Sequence, residues 1–318
     1  MTYARARLWI GISYVGTIVV LSLSALLLGL PAVLFPTQAV SMAMSLLHVA
    51  GFVGACLLLG FPFDLMGGYI LPLRYGRAQL SLSQFLIKWG RGAVIHSSIL
   101  ILVGTSLIQL ASVWGNFGAV GGVAVIVILL ITFQKRFAQW IGGFSIFKSS
   151  TDEEIESSSS QDLQWASNQD HGFAGGVTGW PGMEVLILPS TWNNELTSEQ
   201  RDAELTRRRI AVRSGSRALG LTLAALWTIA GLAVAMWSTG AGFDTVAGLI
   251  TLSLAFTLWS FFGLLLLPTP SRWSVFAVDR EALHSGVSER ELLDTAAALD
   301  RLQDDEPSRS RMVESVFH

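Results

Sequence analysis

The sequence is short of charge. Asp, Glu, Lys and Arg make up 14% of its 318 residues, against about 25% in an average soluble domain. With 51% hydrophobic residues and a mean hydropathy of +0.53, that scarcity excludes a disordered chain, a nucleic-acid binder and an ordinary soluble enzyme. Neither sign of charge is in excess: 21 Lys and Arg face 23 Asp and Glu, a net charge of −2, so bulk charge names no partner. Cysteine is almost absent. The single Cys56 excludes an intramolecular disulfide and any metal site built from cysteines. What is abundant is long apolar sequence, which points to a polytopic membrane protein carrying a modest polar part.

A helix needs about 20 apolar residues to cross the hydrocarbon core. Six stretches qualify, at roughly 8–35, 41–62, 93–113, 118–134, 216–237 and 245–267, the fourth being the shortest. The first follows a short basic start, has no small-residue cleavage site and is too long for a signal-peptide core, so it reads as a retained helix. With Arg5 and Arg7 placed in the cytoplasm, segments 63–92, 135–215 and 268–318 fall on the same side. All 21 Lys and Arg lie in these segments or at their margins. The opposite loops, near 36–40, 114–117 and 238–244, carry only Asp244. This asymmetry predicts six transmembrane helices with both termini cytoplasmic. Trp9, Trp114 and Trp237 lie at span ends, where indole rings favour the interface.

The polar segments divide the chain further: 1–135 as a four-helix membrane region with the loop 63–92, 136–171 as a mobile acidic and Ser-rich linker, 172–215 as a strand and helix, 216–267 as a helical pair, and 268–318 as C-terminal cytoplasmic helices. In the loop, Ser81 or Ser83 caps a short surface helix expected to end near Trp89. The tract 149–161, Ser-Ser-Thr-Asp-Glu-Glu-Ile-Glu-Ser-Ser-Ser-Ser-Gln, cannot bury a core and reads as linker, with phosphorylation as the alternative. Gly172 to Gly182 marks a hairpin turn before a strand at Met183–Leu188. No Lys-Ser/Thr pair follows the glycines, which excludes a phosphate-binding P-loop. Thr197 and Gln200 have capping-box spacing at the start of a helix. That helix carries Arg207, Arg208, Arg209 and Arg213 towards the fifth span, as a site for anionic lipid headgroups, as a topology signal, or as both. Pro268 and Pro270 break the chain after the sixth span. Ser288 and Glu291 box another helix, with Leu292, Ala296 and Leu299 on its core face and Leu293, Ala297 and Leu302 alongside. Val313 to His318 has no capping or polar tail, and the chain is expected to continue beyond it.

The order of these parts resembles the membrane-embedded zinc metallopeptidases of the CAAX prenyl protease and HtpX type. Residues 75–91, from Tyr-Gly-Arg-Ala-Gln-Leu-Ser to Lys-Trp-Gly-Arg, look like that family's cytoplasmic loop. Val185-Leu-Ile-Leu-Pro189 followed by Leu196-Thr-Ser-Glu-Gln200 is similar to its edge strand and the approach to its zinc helix. Ser271-Arg272 with Ala277-Val278-Asp279-Arg280 is similar to its downstream Glu-containing helix, and Leu299-Asp300-Arg301-Leu302 to the end of its domain. The resemblance spans roughly two thirds of the chain, and a shared fold does not carry a reaction with it. It implies a mainly α membrane protein with six transmembrane helices and a small α+β cytoplasmic, metallopeptidase-like domain.

The family's reaction needs His-Glu-x-x-His on one helix, two histidines on one face for zinc and a glutamate as general base. The matching stretch here is Thr206-Arg207-Arg208-Arg209-Ile210-Ala211-Val212. Arg207 and Ala211 stand at the histidine positions, Arg208 at the base, and Val275 at the third ligand, while Asp279 alone fits the downstream motif. No histidine lies between His171 and His284, so no shift of register restores the pair. Arginine offers no acceptor. The resemblance therefore implies a vacated zinc site and no cofactor, with Arg207, Arg208, Arg209, Arg213 and Asp279 left for interdomain or lipid contacts.

Other constellations are sparse. His48 and His96 fall within spans two and three at depths differing by roughly 15 Å, from 1.5 Å per residue, which disfavours a shared haem and favours bonds to neighbouring helices. Asp64, at the inner end of span two, suits a bond to the 63–92 loop, a pair with Arg74 or Arg77, or a proton relay. A rearranged metal site would draw on His171, His284 and His318 with Glu184 or Glu281. Three functions follow. The first is a non-catalytic, peptidase-like scaffold, regulator or accessory subunit of a membrane complex. The second is an active metalloendopeptidase with unusual ligands, and the third a transporter. The first is preferred, in a bacterial cytoplasmic membrane, with the bilayer, anionic headgroups and a protein of the complex as partners and no nucleic acid.

Overall fold

The structure is a computed structural model describing residues 2–77, 80–143, 145–147, 162–167 and 173–303. The tract 149–161, His171 and His318 lie outside the described residues. Two compact units are present: Met1–Leu130 with Ala225–Leu264, and Ile131–Ala224 with Leu265–His318.

In the first unit, long apolar runs become α1 (Tyr3–Leu27), α2 (Met42–Leu65), most of α3 (Leu82–Gly142) and the greater part of two later helices. Ser41 caps α2 by accepting from Met44 N–H. Pro62 sits near its end, where the chain passes into a π-helical turn at Met66–Ile70 and a short helix at Leu71–Arg74. The 61 residues of α3 are two spans and not one. Gly115 has φ +67°, a conformation costing other residues about 1–2 kcal/mol, and it separates the arms 82–114 and 116–142. The arms double back. A methyl group on Gly122 would meet Leu110 Cδ1 at 2.5 Å and Leu107 Cδ2 at 3.2 Å, whereas in a straight helix residues 110 and 122 would stand about 18 Å apart.

Ser81 caps α3: its hydroxyl accepts from Gln84 N–H while its own N–H donates to Gln84 Oε1. The separate surface helix expected to end near Trp89 is not found. The helix begun at Leu82 runs on through Gly90 and Gly92 into the third span, because a helical glycine costs only about 1 kcal/mol and no proline intervenes.

α4 (Ser198–Arg213) precedes α5 (Ser216–Thr239) and α6 (Val246–Leu266), the fifth and sixth spans. The short loops at one end of the spans bond to one another. Phe243 N–H donates to Asn116 Oδ1 at 3.0 Å, and Ala247 N–H to the Pro36 carbonyl at 3.1 Å. All three loops that lack basic residues therefore gather at one end. Beneath them Val49, Leu107, Ile108, Leu232, Phe243, Val246 and Ile250 form a buried core. The chain is a polytopic integral membrane protein.

The second unit is α+β. Strands β1 (Ser145–Phe147), β2 (Asp162–Ser167), β3 (Gly176–Thr178) and β4 (Val185–Pro189) form one sheet in the order β1-β2-β4-β3, with β2 and β4 parallel and both edges antiparallel. The segment 136–171, read as linker, thus contains the end of α3 and two strands. Its strand signal is the alternation Leu163-Gln164-Trp165: Leu163 and Trp165 enter the core, while Gln164 accepts from Lys135 Nζ. Pro268 does not merely end a span. It occupies the first turn of α7 (Pro268–His284), a position where its missing N–H costs nothing. The last helix is α8 (Glu289–Gln303), boxed by Ser288 and Glu291. Its buried stripe is Thr295, Ala298 and Leu299, with Leu292 and Leu302 half-buried. Leu293, Ala296 and Ala297 are exposed, a rotation of the expected face. Thr295 tolerates burial because its hydroxyl donates to the Glu291 carbonyl at 2.6 Å.

Candidate functional site

The arginine-bearing stretch lies on α4. Thr197 Oγ1 accepts from Gln200 N–H and Gln200 Oε1 from Thr197 N–H, completing the capping box. Leu205 and Val212 turn into the core with Leu186, Leu188 and Trp192. This anchoring presents the intervening residues to β4 on one side and α7 on the other.

At the centre is Glu204, only 7% exposed. Its two oxygens are each taken by a guanidinium: Oε2 accepts from Arg207 Nη1 and Oε1 from Arg208 Nε, both at 2.8 Å. Arg207 reaches on to α7, where Nε donates to Asp279 Oδ1 at 2.7 Å. Arg208 turns to the sheet side. Its Nη2 donates to the Ala174 carbonyl at 2.6 Å, and its guanidinium carbon lies 4.8 Å from the centre of the Trp192 ring, within cation–π range. Two cations and two carboxylates therefore compensate one another. Burial alone would lower the Arg207 pKa, but the charges and hydrogen bonds of Glu204 and Asp279 outweigh it and raise the pKa above the ordinary arginine value.

Of the other residues singled out from the sequence, Ala211 is half-buried and Val275 exposed. Arg209 is half-buried, with its Nε unpartnered among the described residues. Arg213 is exposed in the last turn of α4, and Glu281 and His284 are exposed on α7. Glu184 accepts from Gly182 N–H in the β3–β4 turn. In the membrane helices, His48 Nδ1 bonds the Met44 carbonyl of its own helix at 2.8 Å, and His96 is exposed. Asp64 accepts from Trp89 Nε1 at 3.0 Å. Glu204 was not identified from the sequence. Its signal was the spacing 204, 207, 208, which puts a carboxylate three and four residues before two arginines on one helix face.

A zinc ion, the metal of the family that the sequence resembles, does not fit this arrangement. Guanidinium groups have no acceptor, and both oxygens of Glu204 and Oδ1 of Asp279 are occupied by Arg207 and Arg208. Among the described residues, no three His, Cys, Asp or Glu side chains come close enough together to hold a metal.

No family model matches the sequence, and no curated protein matches it. Among solved structures the fold is similar to that of Ste24p from S. mikatae, with a TM-score of 0.74 over 88% of this chain and 73% of that one, at 13% identity. At that identity the likeness is one of fold: a bundle of membrane helices joined to a small α+β unit, the architecture that the metallopeptidase resemblance implied.

Proposed function

We propose that the chain is a non-catalytic member of the metallopeptidase-like fold, acting as scaffold, regulator or accessory subunit of a complex in a bacterial cytoplasmic membrane, with its termini in the cytoplasm. The observation that carries this reading is Arg207, which bridges Glu204 on α4 to Asp279 on α7. In the resembling family the corresponding two helices are joined through a metal. Here the join is an ion-pair network in which both oxygens of Glu204 and one of Asp279 are taken by guanidiniums. Such a network keeps the domain's shape while supplying neither a Lewis acid nor a base to activate water. The experiment is a peptide-library digest by the purified full chain, with and without added zinc. No cleavage is expected in either. Zinc-dependent cleavage lost on His171→Ala or His284→Ala would overturn the reading in favour of an active peptidase with rearranged ligands.

A further inference from the structure

The β3–β4 turn is apolar, exposed and rigidly held. Trp180-Pro181-Gly182-Met183 is closed by a 2.9 Å bond from Met183 N–H to the Trp180 carbonyl. Pro181 in the second place and Gly182 with φ +86° in the third are the residue pattern of a type II turn. All four residues are exposed, Met183 by 76%. A tight turn that merely joined two strands would not need a tryptophan and a methionine facing outward.

The turn is pinned at the ends of two membrane helices. Trp180 Nε1 donates to Thr132 Oγ1 at 3.1 Å. Thr132 lies one helical turn before Lys135, the first charged residue after the apolar run of the 116–142 arm. On the fifth span, Arg217 donates from Nη1 to the Val177 carbonyl at 2.7 Å, and from Nε and Nη2 to the Gly179 carbonyl at 3.1 and 2.7 Å. Arg217 is the last charged residue before that span's apolar run. Both attachments thus lie where charge gives way to hydrocarbon. The neighbouring end of α3 has the composition of an interfacial belt: Phe133, Phe137 and Trp140 are stacked edge to face, with Arg136 over the Phe133 ring. Aromatic and cationic side chains of this kind concentrate at headgroup level.

We propose that the β3–β4 turn is a membrane-interface anchor, with Trp180 and Met183 dipping into the headgroup region of the bilayer that the chain's own helices span. The occupant of this surface is lipid because the turn continues a surface already in contact with lipid. Its depth is that of other interfacial apolar groups, about 5–10 Å into the headgroup and acyl boundary. The anchor holds the sheet edge at a set height.

The test uses the full chain in phosphatidylcholine–phosphatidylglycerol vesicles. Met183→Cys on a Cys56→Ala background is labelled with nitrobenzoxadiazole, and Asn194→Cys, an exposed position away from the turn, is labelled as the control. At position 183 a blue-shifted emission is expected, with roughly half of it or more quenched by phosphatidylcholine carrying a doxyl group near its headgroup, the depth at which interfacial side chains lie. At position 194 quenching should be slight. Equal quenching at the two positions would overturn the proposal. A blue shift at 183 without lipid quenching would also overturn it, by assigning the turn to a protein contact.

Discussion

Glu204 decides what the α4 arginines do. A carboxylate that is almost fully buried is stable as a charge only if paired, and here it holds two guanidiniums in place. Arg207 keeps one arm for Asp279. The Arg207–Asp279 pair is the more solvated link, with Asp279 38% exposed, and such pairs contribute about 1 kcal/mol or less. Reversing the charge adds repulsion to that loss. Asp279→Arg should therefore raise the rate of limited proteolysis within 198–213 by roughly fivefold or more, the factor that corresponds to about 1 kcal/mol. Arg207→Asp in that background should restore much of the protection, and Arg209→Asp should not. Unchanged proteolysis of Asp279→Arg would mean that α4 and α7 are held by apolar packing alone. Asp279 could be read from the sequence as a partner for the arginine row, because its charge is opposite and it lies in the stretch that matches the family's downstream motif. Glu204 could not be read with the same ease, since a carboxylate on a polar helix is ordinarily solvated.

Between α5 and α6, small residues make room for large ones in a reciprocal way. Gly231 on α5 lies under Trp259, and Gly263 on α6 lies against Trp227, 2.6 Å from where a methyl would sit. The indoles stack with centroids 4.4 Å apart, and Trp259 Nε1 donates to the Trp227 carbonyl at 3.0 Å. Without a hydrophobic drive between helices in lipid, such close packing supplies the association. Gly231→Ala or Gly263→Ala should cost about 1–3 kcal/mol by overpacking, seen as a lower melting temperature in detergent. Gly220→Ala, with nothing within 4 Å, should be neutral or stabilising. Equal effects at all three sites would mean that the stack does not determine this contact. The spans themselves were legible as long apolar runs, and Gly115 falls in the gap left between the third and fourth. The sheet was only partly legible. Val185–Pro189 is apolar throughout, as a buried strand is, but β2 hides beside an acidic serine tract and its single alternation is short. The α8 face was misjudged because Thr295, polar by composition, satisfies its own hydroxyl within the helix and can be buried where Ala296 is not.

At the scale of the molecule, six crossings gather the three loops without basic residues at one end, through Asn116 with Phe243 and Pro36 with Ala247. In the proposed orientation that end is outside. Phe117→Cys on a Cys56→Ala background, at a position 93% exposed, should react with an impermeant maleimide on intact cells. Reaction only after lysis would reverse the orientation. A fold similar to that of Ste24p is thus combined with a buried Glu204 held by two arginines. The most direct test of that combination is the zinc content of the purified full chain after equilibration with excess zinc and removal of the unbound ion, measured by inductively coupled plasma mass spectrometry. Zinc far below one per chain is expected, with no change on Arg207→Ala. One tightly held zinc per chain would contradict this.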